Sequence, residues 1–203
     1  MKKKIKTLVI HPDDRSTDFL KPIYENVPNK TVVTGLISKY EVIKLIEKND
    51  RIMIMGHGSP GGLFNRNFSY CNGYIIDDTM VPLLKEKKDC VFIWCNADEF
   101  VNHHKLEGFF SGMFVSELGE AHYMRVANPT QAMVDESNYA FADIVSRHIN
   151  KGITPMYEQV KREYGVLAEV NAVAAYNNKR LYLKSYIKAK EQEHGVSVIV
   201  LST

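Results

Sequence analysis

The sequence predicts a single α/β domain: a mostly parallel central sheet with helices on both faces. Two observations predict it. Short apolar runs alternate with helix-patterned stretches four times between residues 5 and 95, the rhythm of right-handed βα crossovers. Two of those runs, "RIMIM" (51–55) after its first residue and "CVFIWC" (90–95), are apolar at every position, as buried parallel strands are.

The elements follow in order. "IKTLVI" (5–10) is β-branched and ends in turn chemistry, so it reads as a strand. "STDFLKPIYEN" (16–26) opens on a cap-type Ser or Thr and reads as a helix weakened by Pro22. "KTVVTGL" (30–36) is the second strand. Ser38 caps a helix whose apolar face is Val42, Ile43, Leu45 and Ile46. After "RIMIM" the glycine-, asparagine- and aromatic-rich stretch 61–75 reads as a β-hairpin excursion. "DDTMVPLLKEKK" (77–88) reads as a helix, acidic at its start and basic at its end. "GFFSGMFVSEL" (108–118) is a strand running into a helix, and Thr130 caps a long one with Met133, Tyr139, Ala140, Ile144 and Val145 on one face. Thr154–Pro155 reads as a cap and first-turn proline. The tail "GVSVIVLS" (195–202) has strand character and offers an edge strand or a homodimer contact.

Bulk properties narrow the function classes. With 26 basic and 24 acidic residues the net charge is +2, so neither nucleic acid nor an anionic membrane is an expected partner. No apolar run reaches the length of a signal-peptide core or a membrane span. The three cysteines, Cys71, Cys90 and Cys95, form an odd set without CxxC spacing, which predicts a reduced, cytoplasmic protein.

In open parallel sheets, ligands bind outside the carboxyl ends of the strands. Two reactive side chains stand at such ends: His57, in "RIMIMGHGSPGG", and Cys95, in "CVFIWCNADEF". A thiol there is a candidate nucleophile and an imidazole its activator or the acid for a leaving amine. Gly58 lets a scissile carbonyl lie against a backbone N–H, and with the N–H of Cys95 it is a candidate oxyanion hole.

An apolar strand ending in His-Gly, then a hairpin and helix, then an apolar strand ending in Cys resembles the caspase–gingipain group of cysteine peptidases. "GHGS" and "CNADEF" are most similar to its gingipain and clostripain branch. The resemblance covers residues 5–125. It implies a caspase-like three-layer α/β/α domain with a mostly parallel sheet, a helical part after residue 126, and a cysteine endopeptidase. It further implies that His57 and Cys95 are the catalytic dyad, that Gly58 contributes to the oxyanion hole, and that a peptide or protein is the substrate, with no metal or organic cofactor. The residue two before the nucleophile, acidic in some relatives that cleave after Arg or Lys, is Ile93 here. Asp13, Asp14, Asp98 and Glu99 are therefore the carboxylates expected to meet a basic P1 side chain.

Three other readings compete. A caspase-like protein without activity would use the same cleft to bind a peptide or protein. A metal hydrolase would draw on Glu99 and His103, which share a helical face, and on His104, but no third ligand is fixed by spacing. A serine hydrolase would need a G-x-S-x-G elbow, and none follows "HGSPGG".

Overall fold

The computed structural model describes residues 4–65 and 73–185. Nine strands lie within them: β1 (Thr7–Ile10), β2 (Lys30–Val33), β3 (Arg51–Met55), β4 (Gly58–Ser59), β5 (Gly62–Phe64), β6 (Tyr74–Ile76), β7 (Val91–Ile93), β8 (Gly108–Ser111) and β9 (Leu181–Lys184). Six form one sheet in the order β2-β1-β3-β7-β8-β9, and β4-β5-β6 form a separate antiparallel meander. The first five strands of the large sheet are mutually parallel, and β9 runs antiparallel to β8. The architecture is α/β with a mixed, mostly parallel sheet, as the alternation of runs predicts.

The helices are α1 (Lys21–Glu25), α2 (Lys39–Lys48), α3 (Val81–Leu84), α4 (Ala97–His104), α5 (Leu118–Tyr123), α6 (Gln131–His148), α7 (Ile153–Gln159), α8 (Gly165–Ala168) and α9 (Ala172–Asn178). Strand side chains alternate between two cores. Val9, Met53, Met55, Val91, Ile93 and Phe109 pack with Ile23, Phe141, Val145 and Tyr164, from the helices of one face. Leu8, Ile10, Ile52, Ile54, Phe92 and Trp94 pack with Val42, Ile46, Leu84 and Phe100, from those of the other. Both faces of the central strands are thus covered, which is why their sequences lack polar alternation.

Several boundaries differ from the sequence reading for local reasons. The first helix is capped by Asp14, whose carboxylate accepts from Ser16 N–H. It starts as a 3₁₀ turn (Arg15–Leu20), and Pro22 falls in the first turn of α1, where its missing N–H costs nothing. Ser38 caps α2 as expected, with Glu41 completing a capping box. The 77–88 helix is only a 3₁₀ turn (Asp78–Met80) and α3. Its end tightens into three-residue bonds (Glu86 to Leu83, Lys87 to Leu84), and Asp89 turns the chain at φ 53°. Gly152, not Thr154, occupies the cap position of α7. The closing strand β9 escaped the sequence reading, which put the last strand at 195–202, outside the described residues.

The loop between β8 and α5 is held by a buried amide rather than by secondary structure. Asn177, fully buried on α9, accepts from Val115 N–H at 2.7 Å and donates to Val115 C=O at 2.8 Å and to Ser137 Oγ at 3.2 Å. An Asn177→Ala variant strands a buried N–H and a buried C=O. It is expected to lose about 2–4 kcal/mol in a urea unfolding titration, with the loss tracked by displacement of residues 112–117 in amide exchange.

Candidate active site

The parallel pairing of β3 with β7 sets the geometry. Met55 lies opposite Ile93, and Gly56 N–H extends the ladder by donating to Ile93 C=O at 3.0 Å. His57 and Cys95 each stand two residues beyond that matched pair. Both line one small cavity, about 20 Å³, together with Thr17, Leu20, Phe114 and Ser116. This is room for one water-sized group. A larger cavity, about 440 Å³, opens at the opposite strand ends beside Arg51 and Asp89, remote from both residues.

Two glycines of the His57 loop have separate causes. Gly56 adopts φ 137°, open only to glycine at low cost. At Gly58 the reason is closeness: a Cβ would lie 2.2 Å from Trp94 Cδ1 and 2.5 Å from Gly62 O. Trp94, just before Cys95, donates its indole N–H to Ser59 C=O at 3.0 Å, so the meander is pinned over the end of β7. Gly58 pairs with Leu63 while Phe64 N–H donates to His57 C=O. That pattern makes Gly58–Leu63 a non-hydrogen-bonded pair, so the Gly58 N–H points away from β5.

Cys95 leaves the end of β7 through a tight turn in which Asn96 takes the left-handed conformation, φ 64°, before α4 begins. An asparagine tolerates that conformation better than most residues. The half-buried thiol has its pKa pushed up to about 12, first by burial and then by the charge of Glu120, against a smaller opposing hydrogen bond from Phe114 N–H. A pKa so far above neutrality leaves the group a thiol at neutral pH. Cys90, fully buried at the other end of the strand, is pushed to about 12 by burial alone in the main.

His57 is partly exposed. Its Nε2 lies 2.6 Å from Ser16 Oγ and 3.8 Å from Asp14 Oδ1, and Ser16 Oγ donates to that same carboxylate oxygen at 2.7 Å. Sequence reading used Ser16 only as a helix-cap candidate and Asp14 only as a substrate carboxylate; their contact with His57 joins loops 41 residues apart and leaves no local signal. The loop carrying them rests on His11, which is buried between Tyr24 OH (Nδ1, 3.0 Å) and Thr17 Oγ1 (Nε2, 3.0 Å).

The other predicted carboxylates are dispersed. Asp13 Oδ1 lies 3.7 Å from Lys21 Nζ. Glu99 is exposed on α4. Asp98, in the first turn of α4, has a buried Oδ1 that accepts no hydrogen bond, and burial raises its pKa. Its other oxygen faces Gly112, near Arg180. Among the described residues no group of three His, Cys, Asp or Glu side chains is arranged to hold a metal, the Glu99–His103–His104 set included. No helix among them is long and apolar enough to cross a membrane. The chain matches no family model, no curated protein and no solved structure.

Two measurements follow from these titrations. Alkylation of Cys95 by iodoacetamide is expected to rise roughly tenfold per pH unit through the neutral range without a plateau, and Glu120→Gln to speed it; a plateau below pH 8 would contradict the buried-thiol assignment. Burial lowers the folded His11 pKa to about 4 from 6.5, so the unfolded chain binds more protons between those values. Folding stability should therefore fall as pH drops from about 6.5 to about 4, by on the order of 3 kcal/mol. In His11→Gln, urea midpoints are expected to lose that part of their pH dependence.

Proposed function

We propose that the protein is a cysteine endopeptidase of caspase-like type, working through the Cys95–His57 dyad. The observation that carries the reading is the equal offset of the two residues beyond the Met55–Ile93 pair, which sets imidazole and thiol on one cavity. The mostly parallel sheet, covered on both faces, agrees with the resemblance of "GHGS" and "CNADEF" to the gingipain and clostripain branch.

Cys95 Sγ attacks the peptide carbonyl carbon as its proton passes to His57. The N–H groups of Gly58 and Cys95 receive the oxyanion; the orientation of the Gly58 N–H away from β5 favours this role. The imidazolium then gives its proton to the leaving amine as the C–N bond breaks. Water, deprotonated by His57, attacks the thioester, and the sulfur leaves and recovers its proton. Because the resting thiol is protonated, attack and proton transfer are coupled in one bound complex rather than prepared by an ion pair. Of the four carboxylates, Asp98 has a buried oxygen that accepts no hydrogen bond, and a basic P1 side chain would supply the donor it lacks.

A second reading, a caspase-like module that binds a peptide without cleaving it, is favoured by the thiol's high pKa and by the narrowness of the cavity. Peptidyl acyloxymethyl ketone labelling separates the two. Wild type and Cys90→Ala are expected to be labelled and to cleave members of a peptide library, with Cys95→Ala losing both by at least about a thousandfold. Equal labelling of Cys95→Ala and Cys90→Ala, or peptide binding without turnover by wild type, would leave the binding module as the better account.

A further inference from the structure

We infer that Ser16 is a positioning residue that fixes His57 as its Nε2–H tautomer and so leaves Nδ1 as the nitrogen that exchanges protons at the site. The role given to Nδ1 rests on the peptidase reading; the tautomer does not. Proton counting carries the inference. Asp14 Oδ1 accepts from both the backbone N–H of Ser16, at 2.9 Å, and its hydroxyl, at 2.7 Å. Those two donors hold the Asp14 carboxyl below its usual range, so it is ionised at neutral pH and has no proton to give. A hydroxyl carries one proton. With that proton on Asp14, the 2.6 Å contact between Ser16 Oγ and His57 Nε2 is a hydrogen bond only if Nε2 donates.

The arrangement differs from one in which a carboxylate holds the histidine directly. Asp14 Oδ1 is 3.8 Å from Nε2, beyond hydrogen-bond distance, so orientation passes through the hydroxyl. It also argues against Ser16 as a nucleophile: its proton points to Asp14, and the imidazole nitrogen beside it donates to the hydroxyl rather than drawing its proton. When Nδ1 takes the Cys95 proton, the cation that forms keeps its Nε2–H bond to Ser16 and lies beside the Asp14 charge. When Nδ1 gives the proton to the leaving amine, the neutral Nε2–H form is restored.

Ring ¹⁵N shifts measured in alkaline solution, where imidazoles are neutral, test this directly. The His57 signals are assigned by their loss in His57→Gln. Wild type and Ser16→Thr should show Nε2 protonated and Nδ1 bare, and Ser16→Ala should move toward a mixture of tautomers. An Nδ1–H tautomer in wild type, or the same tautomer in wild type and Ser16→Ala, overturns the inference. On any peptide the wild type cleaves, Ser16→Ala should lower kcat by about tenfold to a hundredfold with KM within about twofold, and Ser16→Thr should recover most of it. A fall in kcat with the tautomer unchanged also counts against it. Should wild type cleave nothing, the peptidase reading falls while the ring shifts still decide the role of Ser16.

Discussion

The parallel register of β3 on β7 is the constraint on which the site depends. Its last matched pair, Met55 with Ile93, is followed on each strand by one residue of turn and then by a reactive side chain. A slip of one residue would carry the side chains of β3 to the other face. That would push Met53 and Met55 out of one core and Ile52 and Ile54 out of the other. The same burial that fixes the fold therefore fixes the spacing of His57 and Cys95. Gly56 is the device that lets the chain leave the ladder there without strain, at a φ no other residue takes cheaply.

Beyond the strand ends, buried polar groups do the holding. His11 supports the loop of Asp14 and Ser16, Asn177 grips the loop of Phe114 and Ser116, and the Trp94 indole fastens the meander. Each makes hydrogen bonds between separate segments of the chain, and a buried group left without its partner is costly. Around Cys95 the consequence is chemical. Burial and the nearby Glu120 raise the thiol's pKa, so the sulfur is protonated at neutral pH and slow to react with alkylating agents.

Much of this was legible in the sequence because apolar patterning is set by burial on one or two faces. "RIMIM" and "CVFIW" announced two-sided strands, and Ser38 and Thr130 announced their helices through local capping. What failed was short or non-local. "LYLK" (β9) is four residues long and follows a helix without a turn signature of its own. Capping by Asp14 rather than Ser16 had no distinguishing signal, because both are cap-type residues two positions apart. The Ser16–His57 contact and the Asn177 clamp join residues 41 and 62 positions apart, and no periodicity encodes such a pairing. Gly58 was read for its backbone N–H; its lack of a side chain is also required by Trp94 and Gly62.

A crystal structure of the protein reacted with a peptidyl ketone tests the central claim most directly. The account predicts a covalent bond from Cys95 Sγ to the ketone carbon, its oxygen within hydrogen-bond distance of the Gly58 N–H and the His57 ring across the adduct from Ser16. An adduct on another residue, or one on Cys95 with His57 turned away from it, would contradict the account.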